Sequence, residues 1–192
     1  KEHTTAKDPE IRAHQEWLGY VQPVGLVVST PALLAAQAYV NKNILPEHQR
    51  FLDQVEPIPI QDGEDTALAV TDLPGLLREV FDWQPGDLVT GDALDTLEVV
   101  LPEYGETLRP AYAVREIEPD TAQAQPWMML IQTIANGLEL DKVHETDDHH
   151  WQASPHARFE RLLRETKIPT GLLCNGTHLR LIDQRAIFKK QS

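Results

Sequence analysis

From Ser154 to Ile182 the apolar pattern changes period within thirty residues, and each change predicts an element. Phe159, Leu162 and Leu163 fall on one face at helical spacing, so the spacing predicts an amphipathic helix. Ser154-Pro155 supplies its start, since a serine oxygen can cap free N–H groups and a first-turn proline forfeits no bond. Pro169 stops it. Gly171 to Cys174 is then a short apolar run suited to a buried strand, and His178 to Ile182 a second strand. Asn175-Gly176 between them predicts a two-residue hairpin turn, because both residues tolerate positive φ.

Upstream the signals are weaker. Residues 1–16 are polar without a sustained period and read as a loose arm or the start of a helix. Trp17 to Ser29 suits one or two extended segments broken at Pro23. Thr30-Pro31 opens a helix whose stripe is Leu33, Leu34, Gln37 and Val40, ending near Asn43. Pro46 to Thr71 contains Pro57, Pro59, Gly63 and five acids between Asp53 and Asp65, and reads as a flexible loop or flap. A helix beginning near Asp72 turns Leu73, Leu76, Leu77, Val80 and Phe81 inward and ends before Pro85-Gly86. Three extended segments follow, at 96–101, 107–117 and 127–134. Residues 139–152 are a polar loop rich in Asp and His. The order is helix, three strands, helix, two strands. That is an α/β (α+β) core over 72–192, preceded by an extension over 1–71 that either stands apart or shares the core.

Composition narrows the class. A chain of 192 residues that is 41% apolar and 24% charged is expected to be a globular domain able to bury a core. No apolar run approaches the roughly 18 residues of a membrane span, and no basic-then-apolar signal segment opens the chain. The single cysteine, Cys174, excludes an internal disulfide and fits a reducing, cytoplasmic setting. Its apolar neighbours suggest a buried residue rather than a nucleophile. Trp17, Trp83, Trp127 and Trp151 are scattered and expected in or near the core. The net charge of −13 opposes nucleic acid at long range, so this chain alone is expected to bind DNA poorly. Arg158, Arg161, Arg164 and Lys167 recur at helical spacing as DNA-contact candidates, or as a solvated helix face with a Glu160–Arg164 pair.

The run from Arg158 through Glu165 and on through Asn175-Gly-Thr-His-Leu-Arg-Leu181 resembles the N-terminal region of type IIG restriction-modification adenine methyltransferases. It is closest to the large methyltransferases of phage-defence systems such as DISARM. Trp17 to Val28 and Leu108 to Val114 support the same likeness, which covers about two thirds of the chain. The resemblance implies a nuclease core of the PD-(D/E)XK, restriction-endonuclease-like type: a central mixed sheet flanked by helices. It also implies a longer polypeptide in which this region precedes a connector and a methyltransferase domain using S-adenosylmethionine. The partners implied are that domain and, through it, DNA, with no membrane. The Gly-rich cofactor turn and Asn-Pro-Pro-Tyr-like motif of such an enzyme do not occur in these 192 residues, so no cofactor is expected in this chain itself.

An active nuclease of this type needs carboxylates for one or two Mg²⁺ ions and a lysine beside the attacking water. The resemblance puts an Asp at the start of the second core strand and Glu-x-Lys on the third. Here those places read Arg109-Pro110-Ala111 and Met128 to Ile134, with Gln132 the one polar side chain able to offer an oxygen and no lysine after it. The expectation is a noncatalytic nuclease-like domain with a structural or DNA-channel role. One alternative is an active Mg²⁺-dependent endonuclease drawing on Glu79, Glu116, Glu118 or Asp120; Pro119-Asp120 and Glu165-Thr-Lys167 do spell both halves of the motif. Another is a free-standing protein-interaction module. His144, His149 and His150, among three neighbouring acids, form a candidate transition-metal site or an exposed loop tip.

Overall fold

The computed structural model describes residues 30–38, 42–59, 66–116, 126–144 and 151–184. The segments expected at Trp17 to Ser29, the acidic stretch at 60–65, Asp120, His149 and His150 lie outside these residues. The chain divides into two compact units, 1–46 and 47–192. In the first, helix α1 (Thr30–Ala35) is shorter than its stripe predicts. It ends where Gln37 takes φ 55°, a left-handed conformation that breaks the helical ladder. Helix α2 (Leu45–Leu52) runs on into the second unit.

The stretch read as a flap is not one. After α2, strands β1 (Val55–Pro59) and β2 (Thr66–Val70) form an antiparallel ribbon. The prolines that argued against a strand fall two residues apart, opposite Leu68 and Thr66. Alternate residues of an antiparallel strand turn their N–H away from the partner, so both prolines can occupy the outer edge without costing a ladder bond. Val70 N–H ties the ribbon to the Gly176 carbonyl at 2.9 Å.

Helix α3 (Leu73–Glu79) starts where predicted. The Asp72 carboxylate accepts from the Gly75 N–H at 3.0 Å, capping it. Leu73, Leu76 and Leu77 are buried, but Phe81 is about half exposed, because the chain leaves the helix through Asp82 at φ 57°. Strand β3 (Leu88–Val89) follows, then a 3-10 turn (Gly91–Leu97). The segment expected as the first core strand instead gives this turn and β4 (Val99–Leu101), which among the described residues pairs only with β5 (Glu106–Leu108), in a separate hairpin. The next predicted strand is thereby split: its beginning is β5 and the rest is β6 (Tyr112–Arg115).

The central sheet has the order β3-β6-β7-β8-β9, with β7 (Trp127–Thr133), β8 (Thr170–Cys174) and β9 (Leu179–Asp183) completing it. All pairs are antiparallel except β7 and β8, which are parallel and joined through helix α4 (Pro155–Thr166). A parallel pair needs such a crossover. Ser154 Oγ accepts from the Ala157 N–H at 3.2 Å at the start of α4, and Lys167 in the left-handed conformation closes it.

The core forms two layers, one on each face of the sheet. On one face Leu94, Leu101, Leu108, Leu130 and Leu173 pack with Phe159, Leu162 and Leu163 of α4. On the other, Val114, Ile131, Leu172 and Cys174 pack with Leu73, Leu76 and Leu77 of α3. Strand β7 is central: neighbouring Leu130 and Ile131 both have no exposed surface, each on its own face. Gly171 lets α4 lie close on β8, since a Cβ there would stand 2.6 Å from Leu163 Cδ1 and 2.7 Å from Phe159 Cε1.

The β8–β9 connection corrects the two-residue turn. Cys174 pairs with Leu179, leaving four residues in the loop, and Gly176 takes φ 81°. The buried Asn175 side chain organises the loop: its Oδ1 accepts from the N–H groups of Thr177 at 3.1 Å and His178 at 2.6 Å. Its Nδ2 donates to the Leu138 carbonyl at 2.7 Å. An asparagine that can cap two N–H groups favours this longer loop over a turn needing positive φ at both positions. Among the described residues no helix is long and apolar enough to cross a membrane.

Candidate functional site

Strand β7 ends at Thr133, and the residues just beyond it open onto a cleft on each face of the sheet. Each has a volume of about 380 Å³, and Thr133, Ile134 and Ala135 line both. This end of β7 lies beside the start of β6: Tyr112 pairs with Ile131, and the Ala111 N–H donates to the Ile131 carbonyl at 3.0 Å. It is the corner where the sequence resemblance puts the Asp and the Glu-x-Lys.

On the α3 face the cleft is lined by Thr71, Asp72, Tyr112, Asn136 and Cys174, among others. Its one carboxylate among the described residues, Asp72, is engaged as the cap of α3. Cys174 is buried, and burial pushes its thiol above the ordinary value, which keeps it protonated and unreactive. On the α4 face the polar residues are Thr107, Arg109, Gln132, Thr133, His144 and Arg158, against apolar walls that include Leu108, Phe159 and Leu162. Among the described residues no carboxylate lines it.

The α4-face cleft is fastened by a buried ion pair. Arg158 Nη2 donates to Glu106 Oε2 at 2.6 Å, and the two side chains are 15% and 8% exposed, the least of any ion pair among the described residues. The other Glu106 oxygen accepts from the Trp151 N–H at 2.8 Å, while Arg158 Nη1 donates to the Trp151 carbonyl at 3.2 Å. The guanidinium also lies 5.6 Å over the Trp151 ring, which stacks on Tyr104. Arg109, at the cleft's edge, is held by Glu98 at 2.8 Å, Asp95 at 2.9 Å and the Gly91 carbonyl at 2.7 Å.

The remaining sequence candidates scatter. Glu79 is exposed at the end of α3 and pairs with its neighbour Arg78 at 2.8 Å, lining neither cleft. Glu116 follows β6 at the far end of that strand, where its N–H donates to the Pro126 carbonyl at 2.9 Å. Gln132 does line the α4-face cleft, with Nε2 donating to the Thr133 carbonyl at 3.2 Å. His144 lines it too, its Nε2 2.7 Å from the Glu139 carbonyl. Among the described residues no group of three or more His, Cys, Asp or Glu is placed to hold a metal ion.

Two of the four cations of the basic stripe on α4 are neutralised by carboxylates. Arg158 is consumed by Glu106, and Arg161 pairs with Glu165 at 2.8 Å and Glu103 at 3.4 Å. The expected Glu160–Arg164 pair does not form; the same four-residue spacing is used one position later, by Arg161 and Glu165. Arg164 and Lys167 are exposed.

Sequence reasoning missed a second brace. Arg180 on β9 grips both oxygens of Asp141, at 2.6 and 2.8 Å, and donates to His156 Nδ1 at 3.1 Å. The Arg180 hydrogen bond holds the Asp141 carboxyl below the usual carboxylate value against the opposing effect of burial. Arg180 alternating with leucines on a predicted strand was the available signal, but Asp141 is 39 residues away. No family model, curated protein or solved structure matches this chain.

Proposed function

We propose that this chain is a noncatalytic restriction-endonuclease-like domain. It serves a structural or DNA-channel role in a restriction-modification or phage-defence DNA methyltransferase. The fold supports this reading through its order: a helix, three successive antiparallel strands β3, β6 and β7, a crossover helix, and a parallel strand β8. The β4–β5 hairpin is an insertion between the first two of these strands.

One observation carries the noncatalytic part. At the β6–β7 corner neither face of the sheet offers a carboxylate pair among the described residues. Side chains alternate along a strand, so Gln132 and Ile134 lie toward one face and Ile131 and Thr133 toward the other. Ala111 and Tyr112 stand at the start of β6. A neutral amide and hydroxyls replace the anions that would hold Mg²⁺, and among the described residues no lysine lines either cleft to steady an attacking water. A stationary Arg158–Glu106 pair fastens the adjoining cleft instead. With net charge −13 and its α4 cations partly neutralised, the chain gains DNA contact through the rest of its polypeptide.

The test is a Mn²⁺ titration followed by paramagnetic broadening of amide signals. The expected result is no selective broadening at Ala111, Tyr112 or residues 131–134 at millimolar metal. Selective broadening there, or at Asp120 with loss in Asp120→Ala, would replace this reading with a metal-dependent endonuclease. For the parent activity, the protein expressed from its native gene should methylate adenine in a sequence-dependent manner.

A further inference from the structure

The central sheet ends on two unequal edges: β3 on one side has two residues, and β9 on the other has five. The Asn175 N–H donates to the His178 carbonyl, and the Gln184 N–H to the Pro169 carbonyl. The even-numbered residues from 178 to 184 therefore bond to β8. In an antiparallel ladder the residues between them turn N–H and C=O the other way. Leu179 and Leu181 thus aim their backbone groups outward, and on that side neither makes a hydrogen bond to a described residue.

The same two residues leave their side chains open. Leu179 stands opposite Cys174 and Leu181 opposite Leu172, so both extend the apolar layer that packs on α3. Yet they are 47% and 43% exposed, whereas Cys174 and Leu172 are buried. Native sheets commonly blunt an open edge with proline, lysine, a bulge or a charge. Residues 178–184 contain neither proline nor lysine, and the β8–β9 register runs without a shift. Arg180 points to the opposite face, where Asp141 neutralises it.

We infer that β9 pairs antiparallel with β9 of a second copy of this chain, about a twofold axis at Arg180. The exposed side chains of β9 are leucines, which offer no charge for a cationic or anionic partner to recognise. They do match themselves. With the axis at Arg180, Leu179 of each copy lies opposite Leu181 of the other, and each such pair exchanges N–H···O bonds both ways. An axis at Leu181 would set Leu179 against Asp183, and an axis at Leu179 would set Leu181 against Thr177. The two Arg180 side chains meet across the axis as neutral pairs, since each carries its own Asp141 carboxylate. An edge that pairs with its own copy is used up, so association through it stops at a dimer.

The contact is one strand wide and belongs with small, transient interfaces, so a dissociation constant of about 10 μM to 1 mM is expected. The charge of −13 on each copy opposes the approach, and salt screens it. Association should therefore tighten as salt rises, the reverse of binding to a cationic partner.

The experiment is NMR of the full chain from about 20 μM to 1 mM, at about 50 and 500 mM salt, reading translational diffusion and amide exchange at Leu179 and Leu181. A concentration-dependent dimer is expected, stronger in high salt, with both amides gaining protection as it forms. Leu179→Lys and Leu181→Glu, each checked for unchanged circular dichroism, should each weaken it about tenfold or more. An equimolar mixture of the two variants should associate more tightly than either alone, because the introduced lysine then faces the introduced glutamate and the remaining leucines face each other. A monomer at every concentration, a dimer that neither substitution weakens, or a mixture no tighter than its components would overturn the inference. So would a monomer whose Leu179 and Leu181 amides are already protected, which would give the edge to another segment of this chain.

Discussion

Two arginines in this protein each grip a carboxylate, in surroundings that differ. Arg158 and Glu106 are nearly sealed from solvent, with side chains 15% and 8% exposed, and join α4 to the β4–β5 hairpin beside the cleft. Arg180 and Asp141 are 34% and 66% exposed and tie β9 to the segment after β7. The geometry is similar, with closest contacts of 2.6 Å in both. Water separates their energetics: a buried charge left alone costs several kcal/mol, whereas a surface pair contributes from nothing to about 1 kcal/mol. The buried pair therefore fixes the shape of the cleft, and the exposed one trims the edge of the sheet.

The largest effect should come from Glu106→Ala. It strands Arg158 beneath Trp151 and leaves the Trp151 N–H without its acceptor, so a loss of about 3–5 kcal/mol is expected in denaturant unfolding. A loss under 1 kcal/mol would place Glu106 with the surface pairs. Replacing both partners, Glu106→Met with Arg158→Met, should recover most of that loss, to within about 1 kcal/mol of the parent, because no charge is then left buried alone. If the double variant is as unstable as the single one, the pair's hydrogen bonds rather than its charge balance hold the cleft.

Asp141→Asn should cost about 1 kcal/mol or less, and 1 M salt should erase the difference while leaving that of Glu106→Ala largely intact. Its pH dependence has a definite sign. The Asp141 carboxyl is held below its ordinary value of 3.8, so its contribution is full above that value and is lost as pH falls through the lower folded-state value. Unfolding curves of the parent and Asp141→Asn should therefore differ at neutral pH and converge as the pH falls below 3.8 and through the lower folded-state value. Divergence on acidification would contradict the assignment.

The contrast also marks what the sequence could disclose. Helices α3 and α4 and strands β8 and β9 were legible because their signals are local: Asp72 and Ser154 as caps, apolar spacing, and a turn at Asn175-Gly176. The prolines of β1 hid a strand, since composition does not reveal which side of a ribbon a residue's N–H points to. Strand β3 has two residues and no period to detect. The Glu106–Arg158 pair joins positions 52 apart in the chain, and nothing in either neighbourhood names its partner. Of the candidates for chemistry, Gln132 and His144 do meet in one cleft with Arg158, but around neutral acceptors rather than anions. Glu79 and Glu116 stand away from it, because one ends a helix and the other follows the far end of β6.

The measurement that bears most directly on the noncatalytic reading is cleavage of plasmid and oligonucleotide DNA with Mg²⁺ and with Mn²⁺. It should be run on this chain and on the protein from its native gene. The account predicts no cleavage by this chain with either metal, at any DNA sequence. Metal-dependent cleavage by the chain that disappears in Asp120→Ala would contradict it and move the active site to the segment after β6.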